Sequence, residues 1–190
     1  MQRLIVTCAF VLAAGLGGCG SSPASRFYTL DQVAAAGEVR DVSVVVAQAA
    51  IPPAVDRPQI VVRAGENRIA FDEFQRWAAP LKDAIPRVVA LNLARLLGSP
   101  RVAAGPDAIP SPDFRVLLDV QRFESAPGDT ATVEVVWTVR GRSGATRTGR
   151  TLAREAVSGA DYDALAAAHS RALAAVSRDI AAAIRELPAR

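Results

Sequence analysis

Residues 114–157 read FRVLLDVQRFESAPGDTATVEVVWTVRGRSGATRTGRTLAREAV, and three stretches within them alternate apolar and polar side chains. The predicted strands are Phe114–Glu124, Thr130–Arg140 and Thr146–Val157, joined by two short connections that contain glycine. Alternation with a period of two is typical of a strand with one buried face, and connections of this length join antiparallel neighbours. The stretch therefore predicts a three-strand antiparallel meander with one face in the core.

The C-terminal segment after the meander supplies a cover for that face. Its large side chains recur at spacings of three and four residues, which predicts a helix with one apolar stripe. The stripe consists of Tyr162, Leu165, His169, Leu173, Val176, Ile180, Ile184 and Leu187. Asp161 precedes the stripe and is expected to cap the helix N-terminus.

The sequence before the meander predicts shorter strands. They fall at residues 26–30, 42–46, 59–63 and 68–71, where β-branched and aromatic side chains are frequent. A proline-rich stretch separates the second strand from the third and excludes regular structure there.

Prolines also shape the prediction for the segment between these strands and the meander. Asp72 is expected to cap a short helix that ends at Trp77, with a bend at Pro80. A longer helix follows to Leu97, with Pro86 in its first turn, where a missing N–H is tolerated. Together the elements predict an α+β fold, a two-layer sandwich of a mainly antiparallel sheet with two principal amphipathic helices on one face.

The composition fits one ordinary globular domain. Of 190 residues, 51% are apolar and 22% are charged, which is enough apolar material for a core. The net charge of +3 comes from interspersed charges, and no basic stripe with interleaved aromatic residues marks a nucleic-acid surface. We therefore expect a single α+β domain over residues 26–190 and no nucleic-acid partner.

The first 25 residues are typical of a lipoprotein leader. Arg3 is followed by the apolar run Leu4–Leu16, which is shorter than the about 20 residues that a membrane-spanning helix needs. Leu16-Gly17-Gly18-Cys19 then resembles a bacterial lipobox, whose cysteine is acylated and becomes the first residue of the mature chain. The sequence thus predicts a signal peptide at residues 1–18, lipidation of Cys19 and a lipidated flexible tether at residues 19–25.

The glycines around the lipobox also match G-x-G-x-x-G, the fingerprint of dinucleotide-binding folds, from Gly15 to Gly20. That fingerprint requires a helix to begin directly at the glycines, so that its N–H groups meet the pyrophosphate. Residues 21–25 have the composition of a linker instead. We interpret the match as a coincidence and expect no cofactor.

No set of residues in the sequence forms a recognisable catalytic or metal centre. His169 is the single histidine and lies on the apolar stripe, where a core-edge or interface residue is favoured over a catalytic base. Cys8 leaves with the signal peptide and Cys19 is acylated, so no thiol remains for zinc or a disulfide. Asp161 and Asp163 are close in sequence, but capping accounts for the first. We expect no enzymatic activity and no metal.

Six short motifs follow one another along nearly the whole mature chain. They are Tyr28-Thr29-Leu30, Ile51-Pro52-x-x-Val55-Asp56-Arg57-Pro58-Gln59-Ile60-Val61, Trp77-Ala78-x-Pro80-Leu81, Val120-Gln121-Arg122-Phe123-Glu124, Trp137 and Asp161-Tyr162-x-Ala164-Leu165. In this order they resemble the PqiC/YmbA-type ABC-transport auxiliary lipoproteins. The resemblance implies a non-enzymatic, outer-membrane subunit of a lipid transport system that faces the periplasm. Its implied partner is an MCE-domain protein, often beside an ABC permease and ATPase, and a homo-oligomer is implied as well.

The residue after the acylated cysteine, Gly20, indicates which membrane holds the lipid anchor. In Gram-negative sorting, an aspartate directly after the acylated cysteine usually retains a lipoprotein in the inner membrane. Glycine at this position therefore indicates the outer membrane.

Asp56, Arg57, Pro58 and Gln59 are the candidate partner-binding residues. They form either a rigid, exposed contact loop or an Asp–Arg-braced turn that leads into the next strand. Trp77 is a further candidate, either as an interface anchor or as part of the core. A rival hypothesis is an outer-membrane lipoprotein cofactor of another envelope machine, namely a peptidoglycan synthase activator or a lipopolysaccharide-assembly factor.

Overall fold

The computed structural model describes residues 23–105 and 108–188. Cys19, the lipobox and the predicted signal peptide lie outside the described residues. Within them the chain forms eight strands and two helices. In chain order these are β1 Arg26–Tyr28, β2 Val44–Ala50, β3 Gln59–Arg63, β4 Ile69–Trp77, α1 Leu81–Leu96, β5 Val102–Ala104, β6 Phe114–Ser125, β7 Thr130–Gly141, β8 Thr146–Ala156 and α2 Tyr162–Glu186.

The larger of two sheets has five strands in the order β5–β2–β6–β7–β8. β6, β7 and β8 are antiparallel neighbours, which confirms the predicted meander. β2 pairs in parallel with both β5 and β6. Parallel pairing requires long connections, and the chain between β2 and its two neighbours provides them.

Both helices pack on the same face of the larger sheet. α2 covers β7 and β8, α1 covers β2 and β5, and the two helices contact each other. Fully buried side chains from both layers meet in the core and include Phe114, Val116, Val139, Leu165 and Ile180. Asp161 accepts a hydrogen bond of 2.6 Å from the backbone N–H of Ala164 and caps α2 as predicted. The predicted α+β class and the two helices are confirmed.

The smaller sheet has three strands in the order β1–β4–β3, whereas the sequence predicted a single sheet. β1 is parallel to β4, and β3 and β4 form an antiparallel hairpin. Tyr28, Ile60 and Trp77 carry this sheet into the common hydrophobic core. The ring of Tyr28 lies 5.9 Å from that of Tyr162 at the start of α2.

The short helix predicted from Asp72 to Trp77 is wrong, because these residues belong to β4. Asp72 does accept a hydrogen bond of 2.8 Å from the N–H of Phe74, as a capping residue does, but the turn lies inside a strand. The pairing of β3 with β4 shifts between Gln59 and Val61, so the extra residues of β4 form a bulge. Pairing of the end of β4 with β1 keeps this segment extended.

The predicted position of Pro86 within its helix is also wrong. α1 begins at Leu81, directly after Pro80, so Pro86 lies in the second turn rather than the first. A proline there removes the hydrogen bond to the carbonyl four residues back, that of Lys82. The helix nevertheless continues to Leu96, because its apolar side packs against β2 and β5.

Candidate functional site

The proline-rich segment after β2 forms a tight turn at the surface. The N–H of Val55 donates to the carbonyl of Pro52 at 3.1 Å, and the N–H of Arg57 donates to the carbonyl of Val55 at 2.9 Å. The Val55 side chain is buried, whereas Asp56, Arg57 and Pro58 are exposed. The buried Val55 side chain therefore anchors the segment, and its exposed tip carries the charges of Asp56 and Arg57.

An aromatic ring holds the side chain of Arg57. Its guanidinium lies over Phe71 of β4, 4.8 Å from the ring centroid, in a cation–π arrangement. The ion pairs formed among residues 23–105 and 108–188 do not involve Asp56, so the Asp–Arg contact considered for this turn is not what holds it. Gln59 donates from Nε2 to Oε2 of Glu73 at 2.9 Å and ties the end of the segment to β4.

The structure brings Trp77 next to this segment. Its backbone N–H donates to the carbonyl of Pro58 at 2.8 Å. Its side chain is 5% exposed and meets Phe123 and His169 edge-on, with ring centroids 5.9 and 6.0 Å away. The Trp77 ring thus packs in the core, and its backbone connects the segment to that core.

His169 is fully buried beneath the same region. Its ring stacks on Phe123 with centroids 4.0 Å apart, and its Nε2 lies 2.8 Å from Oγ of Ser125. Burial lowers the pKa of the imidazole to about 3, so the ring is neutral at ordinary pH. Its Nδ1 has no hydrogen-bond partner among the described residues, so no carboxylate orients the ring as in a catalytic triad. The partnership with Ser125 was not foreseen from the sequence, because the two residues are 44 positions apart.

A groove of about 270 Å³ opens beside the proline-rich segment. Its lining comes from residues 61–63 and 65–69 of the β3–β4 hairpin, from residues 121–125 of β6 and from part of the proline-rich segment. We call it the edge groove. Phe123 and Ser125, which contact His169, lie in this lining, so the groove sits directly above the buried aromatic cluster.

Charged side chains flank the edge groove. Arg122 forms a two-pronged contact with Glu124, from Nε to Oε1 at 3.0 Å and from Nη2 to Oε2 at 2.8 Å. This hydrogen bonding lowers the pKa of Glu124 and raises that of Arg122. Arg63 reaches the same carboxylate at 3.6 Å from across the groove. The acid is therefore already paired, and the charge of Arg154 also acts on it.

The order Arg122-Phe123-Glu124 holds a signal for this site, since alternation along a strand places the two opposite charges together on one face and Phe123 on the other. Sequence reasoning missed the groove because a bulge between Val120 and Arg122 changes which side each later side chain faces. That irregularity has no sequence signature.

Two further findings concern all of the described residues. Within residues 23–105 and 108–188, His, Cys, Asp and Glu side chains do not gather into a group of three or more that would suit a metal. None of the helices built from these residues combines the length and the hydropathy required to cross a membrane. The edge groove offers apolar side chains, guanidinium groups and strand edges, which are the elements of a binding surface.

Known proteins are similar to this chain over most of its length. A family model described as "ABC-type transport auxiliary lipoprotein component" matches residues 28–181. The solved structure of an uncharacterized protein is similar with a TM-score of 0.70 and 16% identity, covering 85% of this chain and 99% of the other. A protein from Xanthomonas campestris is similar with a TM-score of 0.63 and 22% identity, covering 83% of this chain and 93% of the other. No curated protein matches the sequence.

Proposed function

Because the chain belongs to the family of ABC-type transport auxiliary lipoprotein components, we propose that it is the lipid-anchored subunit of an MCE/ABC-type lipid transporter. In this proposal the protein is not a catalyst. It docks the periplasmic conduit, formed by an MCE-domain protein, at the outer membrane. The match of the family model to residues 28–181 is the observation that carries the proposal.

The leader of the sequence supports the anchoring part of the proposal. Acylation of Cys19 with two or more chains gives a stable membrane anchor, whereas a single chain gives only marginal binding. The tether between the anchor and β1 has seven residues, which reach about 25 Å when fully extended. The folded part is then held near the bilayer, where a conduit for apolar lipid needs a receiving component.

The anchor is tested by metabolic labelling of the full-length protein with radioactive palmitate, followed by separation of the membranes on a density gradient. The wild-type chain is expected to carry the label and to sediment with the outer membrane. Cys19→Ser should lose both properties. An unlabelled wild-type chain would refute the anchor, and label in the inner membrane would refute the outer-membrane address.

The exposed tip of the proline-rich segment is the proposed contact with the conduit. Arg57→Ala should abolish co-purification of the MCE-domain subunit while the thermal melt stays nearly unchanged, since an exposed cation–π contact contributes about 0.5–1 kcal/mol. Arg178→Ala, at an exposed arginine on α2, is the matched control and should retain the partner. Retention of the partner by Arg57→Ala would remove Arg57 from the interface. A collapsed melt would show that Arg57 holds the fold instead.

A further inference from the structure

Two strand edges without a paired neighbour, those of β3 and of the C-terminal half of β6, line the edge groove. β3 is an outer strand of the smaller sheet. β2 pairs with β6 only as far as Ala50 opposite Asp119. From Val120 to Ser125, β6 therefore has β7 on one side and no paired strand on the other.

On β3, the main-chain groups of two residues are directed away from β4. In an antiparallel pair, successive residues alternate between bonding to the partner strand and pointing away from it. The N–H of Ala64 donates to the carbonyl of Arg68 at 2.9 Å, which closes the hairpin. Counting back from this bond, the N–H and C=O groups of Arg63 and Val61 point to the open side. Both residues line the edge groove.

The same count applies to β6. The N–H of Ala126 donates to the carbonyl of Thr130 at 2.8 Å at the end of the β6–β7 hairpin. The N–H and C=O groups of Ser125 and Phe123 therefore point away from β7. These two residues also line the edge groove, so unpaired main-chain groups enter it from two sides.

The side chains around these groups indicate what the groove accepts. Val61 and Phe123 are buried and give it an apolar base. Arg122 and Arg63 are already engaged by Glu124, whereas the bond that Arg68 forms within the described part of the chain goes to a backbone carbonyl, that of Ala64 at 3.0 Å. The remaining donors of the Arg68 guanidinium are thus available in the lining of the edge groove.

We propose that the edge groove binds an extended, acidic segment of a partner protein, which adds a strand to the open edge of β3 and lies against Phe123 and Ser125 of β6. A peptide is the occupant that supplies main-chain donors and acceptors at the spacing of both edges. A lipid chain would cover the same groups without bonding to them. The inference rests on the proposed function for the presence of a partner protein at this end of the molecule.

Arg63 offers a matched pair of variants for the test. Arg63→Pro removes an N–H that points into the groove and not toward β4, and proline is tolerated on an edge strand at such a position. Arg63→Ala keeps that N–H and removes the same side chain. The probes are overlapping synthetic peptides that tile the periplasmic part of the MCE-domain subunit, labelled for fluorescence anisotropy against the full chain.

Wild type and Arg63→Ala should bind one peptide with affinities within about threefold of each other, since the exposed ion pair to Glu124 contributes little. Arg63→Pro should bind it about tenfold more weakly or not at all, the cost of one lost hydrogen bond in an interface. Thermal melts verify that both variants are folded. If Arg63→Pro does not fold, N-methylation of the central amides of the peptide, tested on the wild-type chain, should weaken binding by a similar factor.

Each other result overturns the inference in a recognisable way. Equal binding by both variants, or no effect of N-methylation, would show that side chains alone hold the peptide. Loss of a dimer or larger assembly in Arg63→Pro would show that a second copy occupies the groove, and phospholipid recovered from it by mass spectrometry would show a lipid site. If the intact MCE-domain subunit binds but no peptide does, the groove is wrong while the proposed function stands. If the subunit itself does not bind, both fail.

Discussion

The two sheets of this protein differ in how completely their apolar side chains are covered. In the larger sheet, Phe114 and Val139 are fully buried beneath the helices. In the smaller sheet, Phe27, Ile69 and Phe71 are 63%, 55% and 47% exposed. Burial of apolar surface is the main source of folding free energy. The helix-covered sheet therefore contributes most to the core, whereas the smaller sheet adds Tyr28, Ile60 and Trp77 to it and keeps apolar surface and an open edge exposed.

The regularity of the backbone shows the same difference. The β6–β7 ladder runs from Phe114 to Ser125 with one bulge. The β3–β4 ladder has only a few paired positions and breaks between Gln59 and Val61. Bulged strands are common next to functional sites, and an exposed strand edge presents unpaired N–H and C=O groups with which another chain can pair. The comparison can be tested by removing side chains from each sheet in turn.

The largest expected effect is that of Trp137→Ala in the larger sheet. Trp137 is 6% exposed and donates from Nε1 to Oγ1 of Thr151 at 3.0 Å. It lies against Gly149, where an added Cβ would come within 2.2 Å of the ring. Truncation should lower the free energy of unfolding by about 3–5 kcal/mol, measured by urea titration. Leu152→Ala, at a half-exposed residue on β8, is the control and should change it by less than about 0.5 kcal/mol. Similar losses in both variants would contradict the assignment of stability to the covered face.

The second prediction concerns pH and uses the single histidine. Burial lowers the pKa of His169 to about 3, below its ordinary 6.5, so between these values the unfolded chain binds a proton that the folded chain does not. Stability is therefore present above pH 6.5 and is lost as the pH falls. The loss should reach about 2 kcal/mol between pH 8 and pH 5, at 1.36 kcal/mol per pH unit below 6.5.

A matched variant isolates this effect. His169→Gln does not titrate, so its urea midpoint should stay level between pH 6.5 and pH 5, whatever its overall stability. The lowered pKa values of Glu124 and Asp113 act only below their ordinary carboxyl range and leave this interval free. A wild-type midpoint that does not change between pH 6.5 and pH 5 would show that the folded chain protonates His169 easily.

The contrast between the sheets also explains how much of the structure could be predicted. The alternation in β6, β7 and β8 predicted the meander, and the stripe from Leu165 to Ile184 predicted α2, because both patterns are local consequences of one buried face. The cap at Asp161 followed from the same reasoning. These elements all belong to the helix-covered part of the fold.

The smaller sheet and the candidate site were less accessible to prediction. Asp72 forms the side-chain-to-backbone hydrogen bond expected of a cap, but pairing of β4 with β1 overrides the local preference for a helix. The contact of His169 with Ser125 and that of Arg63 with Glu124 join distant parts of the chain. Such pairs depend on the register of whole strands, and a single bulge changes that register. The proline-rich segment could be placed at the surface, but its support by Phe71 could not.

The third prediction concerns the N-terminal cap of α2, one of the two helices that cover the larger sheet. Asp161→Ala removes the hydrogen bond to the N–H of Ala164 and should lower the free energy of unfolding by about 1 kcal/mol. Asp161→Asn keeps an acceptor at the cap and should restore most of the loss. Urea titration of the two variants checks both values. Equal losses for alanine and asparagine would show that the negative charge near the helix N-terminus matters more than the hydrogen bond.

The smallest expected effect on stability is that of Phe71→Ala in the smaller sheet. The ring is 47% exposed and supports the guanidinium of Arg57, so its removal should cost no more than about 1 kcal/mol. A double-mutant cycle with Arg57→Ala should give a coupling energy of about 0.5–1 kcal/mol, which measures the contact itself. If Arg57 contacts an MCE-domain subunit as proposed, co-purification of that subunit should fall sharply in Phe71→Ala, because Arg57 loses its support. A loss of several kcal/mol in Phe71→Ala would contradict the comparison, since the smaller sheet would then contribute to the fold as much as the covered one.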